Sequence, residues 1–321
     1  MRAVYIEQTG GTSALILGER PTPEPAAGEV LVRVAASGVN FIDTYHRTGL
    51  YKLPLPAILG SEGAGTVEKV GEGVTGFKPG DRVAQAMARG SYAEYQCVPT
   101  KLLVHVPENI DLKDAAAVML QGMTAHYLAR STFPLKSGHT ALVHAAAGGT
   151  GRLLVQIAVM AGARVIATAG TAAKAELAIQ AGASDVILYD QQDWVAEVKR
   201  LTNGVGVDVI YDSVGQATFT KGLDCLKARG MMVNFGQSSG AVPAVEPLTL
   251  FAKGSLYLTR PTLGNYISRE ELDSRSADLF RWIAEGKLKL RIDHVYQLGE
   301  AAQAHRDLEG RKTTGKLVLA I

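Results

Sequence analysis

The sequence predicts an α/β protein in two parts, a β-rich N-terminal domain and a doubly wound parallel sheet. Three observations predict it. Up to about residue 125 the chain reads as many short strands broken by glycine-rich turns. From Thr140 to Thr259 strand-like and helix-like runs alternate, the pattern of a parallel sheet covered on both faces. The first of those strands enters a glycine-rich turn, Ala146-Ala147-Gly148-Gly149-Thr150-Gly151, that opens a helix.

The elements follow in chain order. "EVLVRVAASGV" alternates from Val30 and reads as a half-buried strand. "GTVEKVGEGVTGFKPGDRVA" gives two short strands, with Pro79-Gly80-Asp81 as a strong turn. "SYAEYQCVP" and "LLVHVP" add more, so the N-terminal part is a small barrel or sandwich. "DAAAVMLQGMTAHYLAR" has helical composition and links the two parts. Strands are then expected at Thr140–His144, Arg164–Thr168, Asp185–Leu188, Asp208–Tyr211, Met231–Phe235 and Ser255–Thr259. The helices between them are expected at Gly151–Ala161, Ala172–Ala181, Trp194–Leu201, Phe219–Cys225 and Thr249–Lys253. After Pro261 come two amphipathic helices, "REELDSRSADLFRWIAEGKL" and "AAQAHRDLEG", and a closing strand, "GKLVLAI". The expected organisation is discontinuous: residues 1–124 completed by 262–321, with 125–261 as the nucleotide domain.

Composition narrows the function. The 321 residues are 47% hydrophobic and 20% charged, ordinary for a globular protein, with a net charge of +2. That balance gives no basic stripe for nucleic acid and no cationic face for a membrane. Cys97 and Cys225 make no disulfide framework and no Cys-x-x-Cys, as expected in a reducing compartment. "MRAVYIEQTG" lacks the apolar core of a signal peptide, and Leu153 to Ala163 falls short of the roughly 20 residues of a membrane span. The expected location is the cytoplasm.

The glycine turn implies a dinucleotide. The first glycine of the G-x-G-x-x-G pattern is Ala146 here. Gly148 lets backbone approach a pyrophosphate, and Gly151 lets the helix pack on its strand. Free N–H groups at the helix start favour the phosphates. An NAD site places an acid at the end of the second strand. Here Ala169, Gly170 and Thr171 stand there and Lys174 follows, so the expected cofactor is NADPH. Further cofactor contacts are expected where strands end: Tyr189, Ser213, Phe235, Gly236 and Ser238.

The whole chain resembles the medium-chain dehydrogenase/reductase superfamily. "GEVLVRVAASGVNFIDTYHRTGLY" and "LPAILGSEGAGTVEKVGEGVTGFKPGDRVA" are similar to its catalytic domain, a chaperonin-10-like β-barrel, and the sheet domain is then a Rossmann fold. "HAAAGGTG", "YDSVG" and "GSLYLTRPTL" resemble most its zinc-independent NADPH:quinone oxidoreductase branch, the zeta-crystallin-like enzymes. Zinc alcohol dehydrogenases of the superfamily carry Cys and His where this chain has Asn40 and Ser61, which are poor zinc ligands. No metal is therefore expected. Without a Lewis acid the chemistry suits an acceptor that takes hydride readily, a quinone first and an enone or alkenal second.

The resemblance implies the remaining site. Asn40 and Tyr45 face nicotinamide and substrate as catalytic residues, Asn40 bonding a quinone oxygen or the cofactor and Tyr45 orienting substrate or giving a proton. Asp43, Thr124, Arg260 and Lys316 lie near the cofactor, and Glu62 matches an acid that sits behind the metal in zinc enzymes. The edge strand Ser255–Thr259 is expected to join two chains into a homodimer. Zeta-crystallin relatives have also served as lens proteins and RNA binders, which leaves a non-catalytic NADPH-binding or RNA-binding role as a distant alternative.

Overall fold

A computed structural model describes residues 1–321. The chain forms two compact units, Met1–Met123 with Tyr266–Ile321, and Thr124–Asn265.

The first unit is built on the strand Glu29–Val39. It pairs antiparallel with Glu62–Val70, with Tyr95–Pro99 and with Lys316–Ala320. Arg82–Ala86, Leu103–His105 and Ile292–Gln297 complete a seven-stranded sheet. Arg2–Ile6 forms a small second sheet with Ile16–Glu19 and Ala57–Ile58. Val30, Val32, Val67, Val83, Val98 and Leu103 make one core, as the alternation requires. The closing strand lays Leu317 opposite Val39 and brings Lys316 to the place where the long strand ends.

A helix not anticipated from the sequence, Phe41–Thr48, starts at that place. Asn40 followed three positions later by Asp43 is the local signal of its start, a capping pair. The Asn40 N–H donates to Asp43 Oδ2 at 2.9 Å, and Gly49 closes the helix at φ 82°.

The second unit is a six-stranded parallel sheet. Numbered within the unit, its strands lie in the order 3-2-1-4-5-6: Asp185–Leu188, Arg164–Ala169, Thr140–Val143, Val207–Asp212, Leu226–Asn234 and Tyr257–Thr259. That is the doubly wound order, and its switch point lies between Thr140–Val143 and Val207–Asp212. Leu142, Ile166, Ile210 and Met232 are buried, and Trp194, Val198, Phe219 and Leu223 pack into the same core. Two strand starts differ from expectation by two residues or more. The fifth strand starts at Leu226, since an irregular register past Val207 admits the residues before Met231. The edge strand starts at Tyr257, because Ser255 is left-handed (φ 57°) and the Leu256 N–H turns back to Leu250 O.

Candidate functional site

In the second unit the glycine turn follows the central strand. The helix Gly149–Met160 has Gly148 as N-cap, no side chain caps it, and no acid stands in its first turn. Its leading amides keep their donors for an anion. A Cβ on Gly151 would overlap the Ala145 carbonyl oxygen and lie 3.0 Å from Ala146 Cα, so the close approach requires glycine. Ala145 itself is held at φ 50°. This cradle fits a dinucleotide pyrophosphate.

The outer strands complete the groove. Thr171 caps the helix Ala172–Gln180 by accepting the Lys174 N–H at 3.3 Å, which places half-buried Lys174 in the first turn. A Cβ on Gly170 would sit 2.9 Å from the Tyr189 hydroxyl and 3.3 Å from Asp190 Oδ2. Gly170 and Tyr189 thus meet, and a carboxylate the sequence reading missed arrives from the third strand. The loops after the fourth and fifth strands are stitched together. Asp212 Oδ1 accepts from the Val214 and Gly215 amides and from Thr218 Oγ1. The Phe235 N–H donates to Asp212 O and the Ser238 N–H to Ser213 O. A Cβ on Gly236 would lie 2.6 Å from Ser213 O. Ser213, Phe235, Gly236 and Ser238 therefore form one rim. Arg260 is exposed just beyond the edge strand, and Thr124 is buried in the helix Leu112–Tyr127.

The first unit holds a buried polar cluster where the long strand meets the helix Phe41–Thr48. Lys316 Nζ donates to Glu62 Oε2 and to Asn40 Oδ1. Asn40 Nδ2 donates to Glu62 Oε2 at 2.8 Å and to Gly38 O at 3.3 Å, while Gln121 Nε2 donates to Asn40 Oδ1 at 3.2 Å. The Leu120 N–H donates to Glu62 Oε1 at 2.7 Å. Glu62 is fully buried, and the side chain of Lys316 is only 4% exposed. Burial pulls the ammonium below its ordinary pKa, and the Glu62 carboxylate opposes that pull. A Cβ on Gly38 would overlap Glu62 Oε2 and lie 2.6 Å from Lys316 Nζ, so this glycine makes room for the ion pair.

Two of the expected contact residues are engaged by protein partners. Asn40 was expected to present its amide to a quinone or the cofactor. Both of its N–H groups and both acceptor positions are instead taken by the protein, because a buried amide beside an ion pair must be satisfied. Asp43 was expected at the cofactor. It is fully buried, accepting from Ser61 Oγ at 2.7 Å, Tyr92 OH at 3.2 Å and the Asn40 N–H. Lys316 likewise commits its charge to Glu62. Tyr45 remains half-buried, with Tyr51 edge-on at 5.2 Å and Phe41 at 6.2 Å. Ser61, Gln121, Tyr92 and His305 join the cluster only through the tertiary fold, and no local pattern in the sequence marks them. Gln121 Oε1 is buried with no protein partner.

Fold and site together define a two-part protein with a dinucleotide-binding sheet. Comparison with known proteins sharpens that class. Residues 26–108 match the alcohol dehydrogenase GroES-like domain, and residues 181–319 the zinc-binding dehydrogenase family. A quinone oxidoreductase of Pseudomonas aeruginosa is 47% identical over 97% of this chain and 96% of its own. The crystal structure of the Escherichia coli quinone oxidoreductase complexed with NADPH superposes with a TM-score of 0.98 at 44% identity, covering 100% of both chains. A 2-haloacrylate reductase of a Burkholderia species is 42% identical over 99% of this chain and 98% of its own. The chain belongs to the quinone oxidoreductase branch of the medium-chain dehydrogenase/reductase superfamily.

Proposed function

We propose that this chain reduces quinones with NADPH and does so without zinc. The observation that carries the reading is the Lys316–Glu62–Asn40 cluster. At the segments where zinc enzymes place Cys and His, this chain has a saturated amide, a serine hydroxyl and a fixed ammonium. That donor set suits no zinc ion. The similarity to quinone oxidoreductases over nearly the whole chain supports the substrate class.

The residues present fit NADPH. The amides of Gly149, Thr150 and Gly151 would hold the pyrophosphate, with Gly148, whose own N–H donates to Ala145 O, leaving room for its approach, and Gly170, Thr171, Lys174 and Tyr189 would hold the phosphorylated ribose end. The rim of Ser213, Phe235, Gly236 and Ser238, with Thr124 and Arg260, would hold the remainder. When bound, NADPH supplies the hydride. Tyr45, backed by Tyr51 and Phe41, offers an aromatic wall against which a planar acceptor would stack. We assign cofactor binding to residues 125–261, joined by Thr124, and substrate binding to the rest of residues 1–124 with 262–321.

NADPH consumption with a panel of small quinones tests this, run beside NADH and beside enones and alkenals. Loss of NADPH absorbance with quinones is expected; no turnover across the panel would overturn the reading. The 2-haloacrylate reductase relative favours activated alkenes as the second reading, which the enone and alkenal arm decides. The exposed Leu248, Phe251, Tyr257 and Leu258 around the edge strand support a homodimer, and the two free cysteines support a cytoplasmic location. No helix is long and apolar enough to cross a membrane.

A further inference from the structure

The acid that the second strand of the parallel sheet lacks is supplied by the third. Ala169 and Leu188 are register partners at the ends of these two strands, and the Tyr189 N–H still donates to Ala169 O at 3.3 Å. The chain then folds back on itself. The Gln191 and Gln192 amides donate to Leu188 O at 2.9 and 3.0 Å, and Gln192 Oε1 accepts the Leu188 N–H at 2.9 Å. That turn returns Asp190 to Gly170, where a Cβ would lie 3.3 Å from Asp190 Oδ2. A sheet that binds NAD carries its ribose-binding acid at the end of the second strand. Here a carboxylate oxygen stands within contact distance of the point where a side chain on that strand would begin, and the glycine leaves it room. The end of the second strand therefore meets residues of opposite charge: Asp190 from the third strand, and Lys174 in the first turn of the following helix.

We propose that this pocket takes NADH as well as NADPH, and that Asp190 is the residue that admits NADH. The proposal rests on reading the second unit as the cofactor site. The two dinucleotides differ only at the 2′ position of the adenosine ribose. The 2′-hydroxyl of NADH can donate, and a carboxylate accepts, so Asp190 would hold it in a charge-assisted hydrogen bond. The 2′-phosphate of NADPH is an anion, which Lys174 attracts and Asp190 repels. Each dinucleotide thus has one favourable partner in the pocket. Tyr189 serves both, because its hydroxyl, 2.9 Å from the same Cβ position on Gly170, can donate or accept. The absence of an acid from Ala169, Gly170 and Thr171 does not exclude NADH, since the fold returns the acid from a turn that the second strand's own sequence does not contain.

The test is a binding measurement made without any quinone, read from the fluorescence of the reduced nicotinamide. Its three probes are NADPH, NADH, and NADH lacking the 2′-hydroxyl of its adenosine ribose. Wild-type protein should bind NADH about tenfold more tightly than the 2′-deoxy form, the worth of one hydrogen bond to a charged group. D190A should bind those two equally, by losing affinity for NADH alone, and should bind NADPH more tightly. Asp190 is exposed, so this substitution leaves the core untouched, and an unchanged circular dichroism spectrum checks that. An Asp190 that only repels phosphate would tighten NADPH in D190A and leave NADH unchanged. That result, or equal wild-type affinity for NADH and its 2′-deoxy form, or wild-type protein that binds NADPH and no NADH, overturns the proposal and leaves the NADPH reading standing. Protein that binds neither dinucleotide overturns the cofactor reading itself.

Discussion

Lys316 shows how one residue decides a site. It and Glu62 are 254 positions apart, both buried and bonded to each other. A buried ion pair is not evidence of stability, but removing one partner strands the other charge. K316M should therefore cost about 3–5 kcal/mol in denaturant unfolding. K316M/E62Q should recover most of that loss, and additive losses would show that the pair does not couple. At the adenosine end, K174A should erode the preference for NADPH over NADH by about tenfold, or ~1.4 kcal/mol, measured as the ratio of dissociation constants. D190N should move the ratio the other way, because the Asp190 carboxylate lies beside Gly170 where a 2′-phosphate would be repelled. At this scale the sequence was half informative. The strand, turn and helix that carry Gly170, Thr171 and Lys174 were legible because they are local, whereas Asp190 reaches Gly170 from the next strand. The Lys316–Glu62, Tyr92–Asp43 and His305–Arg47 contacts were not, because only the tertiary fold brings those residues together.

At the scale of elements, the glycine turn separates binding from folding. Gly148 has φ −73°, and a Cβ there would lie 3.2 Å from the Ala145 carbonyl, a tight but open placement on the cofactor side. Gly151 has no such room. G148A should keep thermal stability near wild type and weaken NADPH binding. G151A should itself be destabilised, by about 1–3 kcal/mol, since the overlap is with backbone. Calorimetric melting with and without NADPH distinguishes the two, and equal behaviour would show that the turn is not divided this way. The alternating strands and helices of the second unit were legible because β-branched runs and glycine turns are strong there. The helix Phe41–Thr48 was not, because eight residues make little more than two turns, too short a window for a helical period to stand out beside the strands around it. Its cap pair is the only local signal, and Asn40 spends its side chain on Glu62 rather than on the cap.

At the scale of the whole molecule, the chain's last segment returns to the first unit and supplies Lys316, His305 and Glu309. The six-stranded sheet, by contrast, ends on a short strand whose only partner is Leu226–Asn234. An open edge is a template for pairing, and natural proteins cover it or charge it. Here it is neither: Tyr257 is 54% exposed, and Leu248 and Phe251 on the preceding segment are 65% and 73% exposed. Exposed apolar side chains grouped beside a free edge favour a second copy pairing through the same strand, with both apolar groups buried on one twofold axis. Light scattering should then report twice the 34.0 kDa chain mass. F251K/Y257K should halve it without altering the far-ultraviolet circular dichroism, because both side chains are exposed and outside the core. Wild-type protein at 34.0 kDa at every concentration, or a double variant that keeps the larger mass, would show that this edge is not where chains meet.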